Sequence, residues 1–114
     1  MNIKKLIHIE GLAQNFLKAP RVVENGSVLY VLYDFEMDTG EYTEKSISFE
    51  GVKGYRHTEE SRVSPEMIET YNSIAEVVNS EWITYEMVSQ GCKHYLIYFD
   101  DYGAYEVIAK SFRI

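Results

Sequence analysis

The C-terminal stretch of the chain is the part that most constrains its fold. From Glu81 to Ile114 the sequence reads EWITYEMVSQGCKHYLIYFDDYGAYEVIAKSFRI, in which strand-forming segments are separated by two short turns that end in glycine. Alternation with a period of two residues is typical of strands, and three-residue turns ending in glycine are typical of hairpins. We therefore predict three consecutive antiparallel strands, joined at Ser89-Gln90-Gly91 and at Asp101-Tyr102-Gly103.

The two turns also predict a register, with Val88 opposite Cys92 and Asp100 opposite Ala104, and opposite residues share a face. One face is then apolar throughout and consists of Ile83, Tyr85, Met87, Tyr95, Ile97, Phe99, Tyr105, Val107 and Ala109. The other face is mixed, with the rows Glu86, His94 and Lys110; Thr84, Leu96 and Ile108; and Trp82, Tyr98 and Glu106. We expect the N-terminal segment to cover the mixed face, because sheets with apolar residues on both faces are usually covered on both. The alternative is an exposed aromatic and charged surface.

Two segments have apolar residues at helical spacing. Residues 2–19 predict an N-terminal helix that ends at Pro20. Ser64-Pro65-Glu66 is a typical helix start, and an apolar stripe follows it, formed by Met67, Ile68, Tyr71, Ile74, Ala75 and Val78. We predict a helix over residues 65–79 that packs on the apolar face of the C-terminal strands.

The central part of the chain predicts further strands. Asn25-Gly26 is typical of a tight hairpin turn, and residues 28–37 and 41–49 are expected to pair across Asp38-Thr39-Gly40. That pairing places Val31 opposite Ile47. Residues 52–58 form another expected strand. The sequence thus predicts one α+β domain over residues 1–114, with an antiparallel sheet of about six strands and a helix across it.

Charge and cysteine content narrow the class of partner and compartment. The chain has 18 acidic and 11 basic side chains, a formal net charge of -7, which disfavours nucleic acid and anionic membranes and leaves a basic protein, a cation or a neutral ligand as partner. A single cysteine, Cys92, permits no internal disulfide and fits a reducing compartment. His8 and Glu10 interrupt the N-terminal apolar run, and no apolar stretch approaches the length of a spanning helix. We expect a cytoplasmic protein without a membrane partner.

The mixed face carries the candidate binding residues, which are Trp82, Tyr98, Glu106, His94 and Glu86. We interpret His94, between Glu86 and Lys110, as part of a charge ladder, because the predicted register places no nucleophile beside it. His57, Glu59 and Glu60 offer metal-like ligand types without the convergence that a metal needs. The glycines form no phosphate-binding loop. We predict no catalytic residue, metal or cofactor.

Three segments carry a resemblance to a known group of proteins: FEGVKGYRH (49–57), NSEWI (79–83) and YFDDYGAYEVIAKSF (98–112). In these segments the chain resembles small, largely uncharacterised bacterial proteins of one α+β domain, some of which are similar to immunity proteins of polymorphic toxin systems. The resemblance implies a protein that acts by binding, with an acidic, aromatic surface that masks a basic toxin.

Three functional hypotheses follow from these patterns. The first is a non-enzymatic binding protein for a basic protein partner, of the immunity-type inhibitor class. The alternative is a small-molecule-binding domain or minor enzyme with an aromatic pocket lined by Trp82, Tyr98, His94 and Glu106. The third is a homodimer subunit that pairs through an exposed strand or face.

Overall fold

The computed structural model describes residues 1–13 and 15–114, and within them nine strands form two antiparallel sheets. The strands of the first sheet are β1 (Asn2–His8), β5 (Gly54–Thr58), β6 (Ser73–Val78), β7 (Lys93–Phe99) and β8 (Gly103–Ala109). Those of the second sheet are β2 (Arg21–Asn25), β3 (Val28–Glu36), β4 (Tyr42–Glu50) and β9 (Ser111–Arg113). The spatial orders are β1-β6-β7-β8-β5 and β2-β3-β4-β9.

Helical structure is confined to short segments, so the predicted α+β class with a long helix on a six-stranded sheet is wrong. The described residues contain two α-helices, α1 (Pro65–Ile68) and α2 (Tyr85–Ser89), and a 3-10 helix at Glu60–Arg62. None of these helical segments has the length and apolar character needed to cross a membrane.

The helix predicted over residues 65–79 ends after one turn. Its start is as expected, because Ser64 Oγ accepts a hydrogen bond from the Met67 amide at 3.3 Å. Asn72, however, has a φ of 61°, and the chain continues from there as β6. The apolar residues from 67 to 78 lie at helical spacing, but β6 is buried on both faces and so shows no clear two-residue alternation, and its β-branched residues favour the strand.

The predicted N-terminal helix is also wrong, and part of it is strand β1, which pairs with β6 and places Ile3 opposite Val77. Gln14, within that predicted helix, lies outside the described residues. The first of the three predicted C-terminal strands is replaced by a loop and α2, where Thr84 Oγ1 accepts from the Met87 amide. Strand β7 pairs instead with β6, so that Ile74 lies opposite Ile97.

The predicted hairpin of β3 with β4 is confirmed, and the predicted hairpin of β7 with β8 forms with a different register. In β3 and β4, Leu29 lies opposite Phe49 and Val31 opposite Ile47, which confirms the predicted register. In β7 and β8, Tyr98 lies opposite Ala104, two residues away from the predicted alignment. Because side chains alternate with a period of two, this shift leaves every residue of the hairpin on its predicted face.

The main core lies between the two sheets, so the fold is a β-sandwich. Aromatic pairs join the layers: the Phe49 and Tyr95 ring centroids are 5.6 Å apart, and those of Tyr33 and Phe99 are 5.8 Å apart. The predicted apolar face of β7 and β8 points into this core, where the second sheet covers it in place of the predicted helix. Its buried members are Tyr95, Ile97, Phe99, Tyr105, Val107 and Ala109.

The opposite, outer face of the first sheet is covered as well, by chain segments from the middle of the sequence and not by the N-terminal segment as predicted. Met67 of α1 packs there with Ala75, Val77, Leu96 and Ala104 in a second apolar cluster. This outer face is the mixed face of the sequence prediction, and the polar side chains beneath its cover form the candidate site.

Gly103 permits a test of how tightly the hairpin from β7 to β8 packs against β5. Its φ is +97°, and a Cβ at this position would overlap the Thr58 carbonyl oxygen. Gly40 has a similar φ of +86°, with no atom near its Cβ position. We expect Gly40→Ala to cost about 1 kcal/mol from backbone strain alone. Gly103→Ala should cost roughly 3 kcal/mol or more, because the backbone must also shift. Urea unfolding curves measure both, and equal costs would contradict the close packing.

Candidate functional site: a buried polar chain beneath Trp82

Glu106 is the centre of a polar chain inside the outer face of the first sheet. It lies in β8, opposite Arg56 of β5, and is fully buried. Arg56 donates from Nε to Oε2 at 3.0 Å and from Nη2 to Oε1 at 3.1 Å. His94 of β7 places Nε2 2.7 Å from Oε1. A carboxylate removed from water is tolerated when charged and polar partners satisfy it in this way.

The partners of Glu106 decide its ionisation. Burial alone would raise its pKa, but the hydrogen bonds from His94 and Arg56 outweigh burial and hold the pKa below its ordinary value of 4.5. The carboxylate is therefore ionised at neutral pH and forms an ion pair with Arg56. Hydrogen bonding to the charged form is the physical cause.

Both ring nitrogens of His94 are hydrogen-bonded. The ionised Glu106 carboxylate can only accept, so Nε2–H of His94 donates to it. Ser80 Oγ lies 2.6 Å from Nδ1. The same Oγ is 3.1 Å from the Trp82 amide and 3.3 Å from the Ile83 amide, and it accepts from both.

Ser80, His94 and Glu106 follow the serine, histidine, acid order of a nucleophile relay. The predicted register contained no nucleophile beside His94, and the structure corrects this by placing Ser80 there. A hydroxyl oxygen has two acceptor lone pairs, and in Ser80 two backbone amides occupy them. We therefore interpret Ser80 as an anchor that holds the 80–83 turn to His94.

Trp82 closes the chain of contacts. Its indole meets the His94 ring edge-on, with centroids 5.1 Å apart, and the Arg56 guanidinium lies over it at 4.3 Å. Gly54 makes room for the ring, because a Cβ there would be 2.9 Å from Trp82 Cζ2. Five side chains are thus joined by successive contacts, and we call them the Trp82 cluster. They are Ser80, His94, Glu106, Arg56 and Trp82.

A groove of about 530 Å³ lies beside the Trp82 cluster on the outer face of the sheet. Arg56, Ser80, Trp82 and His94 contribute to its wall. Its other lining residues are Met1, Asn2, Val77, Val78, Asn79 and Glu81. The volume is in the range of small-molecule sites, which combine apolar walls with a few polar groups.

The structure divides the five predicted binding residues among three places. Trp82, His94 and Glu106 come together in the Trp82 cluster. His94 and Glu106 do so from the predicted face of β7 and β8, whereas Trp82 reaches them from a loop and not from the predicted strand. Tyr98 is buried on the same face, but its hydroxyl donates to Glu60 Oε1 at 2.5 Å. Glu86 is exposed on α2 and does not lie beside His94, because that segment is not a strand.

Arg56 and Ser80 are the residues of the cluster that the sequence did not predict. Arg56 reaches Glu106 only because β5 pairs with β8, strands that are separated by about 50 residues. No local pattern indicates that pairing. Ser80 did have a local signal in the sequence. A serine hydroxyl often accepts hydrogen bonds from the backbone amides two and three residues later, and this forms a side-chain turn.

Tyr98 leads to a second polar place, at the turn between β7 and β8. Carboxylate oxygens of Glu60, Asp100 and Asp101 lie within 4.8 Å of one another, and we call these three residues the acidic end. Burial, and then the hydrogen bond to Glu60, raise the pKa of Tyr98. Among the described residues, these are the three that could hold a metal ion, since carboxylate oxygens are ligands for hard cations. The described part of the chain contains no ion pair to any of them.

The fold and its two polar places define the class of structure: an antiparallel β-sandwich in which a buried glutamate is ion-paired with a partly exposed arginine on the outer face of one sheet. Searches of protein families, of curated proteins and of solved structures gave no match. The resemblance to immunity proteins therefore stays a prediction.

Replacement of Glu106 by glutamine tests the buried ion pair through its pH dependence. With its pKa lowered, Glu106 stabilises the fold fully above pH 4.5, and the contribution is lost as pH falls through the folded-state pKa. At pH 7 we expect Glu106→Gln to cost about 3 kcal/mol, because Arg56 and His94 lose a charged partner. The difference in the free energy of unfolding between Glu106→Gln and the wild type, measured by urea unfolding, should become smaller below pH 4.5. Glu24→Gln changes an exposed side chain, and its free energy of unfolding should follow that of the wild type at every pH. If the difference between Glu106→Gln and the wild type stayed constant down to pH 3, the assignment would be contradicted.

Ser80→Ala tests the anchor. It leaves two backbone amides and His94 Nδ1 without their partner, so we expect a loss of about 2 kcal/mol and a shift in the emission of Trp82, the single tryptophan. Ser89→Ala removes one exposed hydrogen bond, to the Glu86 carbonyl, and should change stability by less than about 0.5 kcal/mol. Equal effects of the two changes would show that Ser80 anchors nothing.

Proposed function

We propose that this chain is a non-enzymatic binding protein whose partner is a basic protein. The observation that carries the proposal is the acidic end, where three carboxylates crowd together without a cation among the described residues. The formal net charge of -7 adds a long-range attraction for a basic surface.

A lysine or arginine of the partner would relieve the repulsion within the acidic end. Like charges at such short distances raise each other's energy, and an inserted cation reverses that term. Two tyrosines lie close to the acidic end: Tyr71 lies against Tyr98, with centroids 6.4 Å apart, and Tyr102 follows Asp101 directly in the chain. Both tyrosines are partly exposed, and tyrosine is common at interfaces because its ring and hydroxyl both find contacts.

The Trp82 cluster supports a role without catalysis. The His94 and Glu106 side chains are only 2% and 1% exposed, and both ring nitrogens of His94 are hydrogen-bonded. A general base must reach the proton that it abstracts. The resemblance to immunity proteins points the same way, toward an inhibitor that masks a basic toxin.

A paired substitution tests the acidic end. We expect this protein, once immobilised, to retain its partner from the soluble proteins of the native host at low salt. High salt should release the partner, because it screens the charge attraction. Asp100→Asn with Asp101→Asn should lower the association rate of the purified partner by about tenfold. Asparagine suits position 101, whose φ is 68°, so the turn is preserved.

The control changes the net charge equally at a distance. Glu10→Gln with Glu50→Gln replaces two exposed carboxylates outside the acidic end, and we expect the association rate to fall less than about threefold. Equal effects of the two pairs would remove the acidic end as the binding place. Retention of acidic proteins only would overturn the proposal.

The groove beside Trp82 favours a second candidate function, the small-molecule-binding domain or minor enzyme of the sequence prediction. Trp82, His94 and Glu106 of the predicted pocket do converge, although only Trp82 and His94 line the groove. Tyr98 belongs to the other end of the face.

A further inference from the structure

We propose that the groove beside Trp82 binds a small organic anion, a carboxylate or a phosphate monoester with an apolar body, and that Arg56 is the residue that binds its charged group. This site is separate from the acidic end and goes beyond the proposed partner.

The Arg56 guanidinium has hydrogen-bond donors that its contacts with Glu106 do not use. A guanidinium carries five N–H groups, and the two contacts with Glu106 use one on Nε and one on Nη2. Three N–H groups remain, on a side chain that is 46% exposed and that lines the groove. Carboxylates and phosphates match such a planar set of donors.

The guanidinium is also held in place before any ligand arrives. Glu106 fixes one edge of it, and Trp82 fixes one face at 4.3 Å. His94 in turn holds both Glu106 and, by an edge-on contact, Trp82. An immobilised arginine loses little conformational entropy on binding, so more of the hydrogen-bond energy appears as affinity.

Part of the groove suits an apolar body, although Asn2 and Asn79 add polar lining. Val77 and Val78 line it together with the Trp82 ring, and the volume of about 530 Å³ accepts a molecule of the size of a substituted benzene ring. Glu81 is the one carboxylate among the described lining residues, and its side chain is exposed, so solvent screens its charge. The negative charge of Glu81 repels an anion. Whether the groove prefers anions or cations is therefore a test of the proposal.

Four probes of similar shape separate charge from apolar contact. Isothermal titration with benzoate, phenyl phosphate, benzyl alcohol and benzylamine should show at least one anion binding about tenfold or more tightly than the alcohol. Tighter benzoate binding identifies a carboxylate site, and tighter phenyl phosphate binding identifies a phosphate site. Benzylamine binding as tightly as the anions, or no binding by either anion, overturns the proposal.

Arg56→Lys keeps the charge and removes the planar set of donors. We expect it to weaken anion binding about tenfold or more, whereas Arg62→Lys, at an exposed arginine outside the groove, leaves binding unchanged. Unchanged binding by folded Arg56→Lys overturns the role of Arg56.

Glu81→Gln provides a second measurement that does not disturb the Trp82 cluster. Removal of the opposing charge should tighten anion binding about two- to fivefold, and weaker or unchanged binding counts against an anion in this groove. The Asp100→Asn, Asp101→Asn pair should leave anion binding as it is, so loss of the protein partner and loss of the anion are distinguishable results.

Discussion

The burial of one carboxylate, that of Glu106, governs the outer half of this structure. An unpaired ionised group in that position would cost several kcal/mol, so the fold is stable only where Arg56 and His94 both reach it. These partners lie on β5 and β7, the two neighbours of β8. A slip of either strand by one residue would turn its partner side chain to the opposite face. The ion pair therefore favours one register on both sides of β8.

The crossing of the chain from one sheet to the other places Arg56 opposite Glu106. The chain leaves the second sheet after β4 and enters β5, and it leaves the first sheet after β8 and enters β9. The two crossings are hydrogen-bonded to each other: the Lys110 amide donates to the Glu50 carbonyl at 2.9 Å, and the Lys53 amide donates to the Ile108 carbonyl at 2.8 Å. The start of β5 is thus tied to the end of β8, and Arg56 follows a few residues later.

What could be predicted from the sequence was local. The register of β3 and β4 depends on one short turn, and the faces of β7 and β8 depend on an alternation that a two-residue shift does not alter. The pairings of β1 with β6 and of β5 with β8 join distant segments, and no turn signal reports them. The same limit explains the site: the face shared by His94 and Glu106 follows from the hairpin, whereas Trp82 comes from a loop in place of a predicted strand and Arg56 enters through a distant strand.

The helix predicted over residues 65–79 failed for a different reason. Ser64 and Pro65 do start a helix, but the apolar residues beyond Asn72 serve two cores, Ile74 in the one between the sheets and Ala75 in the one on the outer face. A strand buried on both faces lacks a clear two-residue alternation, so its pattern is easily taken for a helical stripe.

Strand β7 connects the two polar places. It supplies His94 to the Trp82 cluster and Tyr98 to the acidic end, with buried Leu96 between them. Six of its seven residues are buried, so the strand is held on both faces. Coupling between two sites needs an element with two arrangements that both ligands can bias, and a strand packed in this way has one. Occupation of the groove should therefore leave the acidic end unchanged, and each place can be judged by its own ligand.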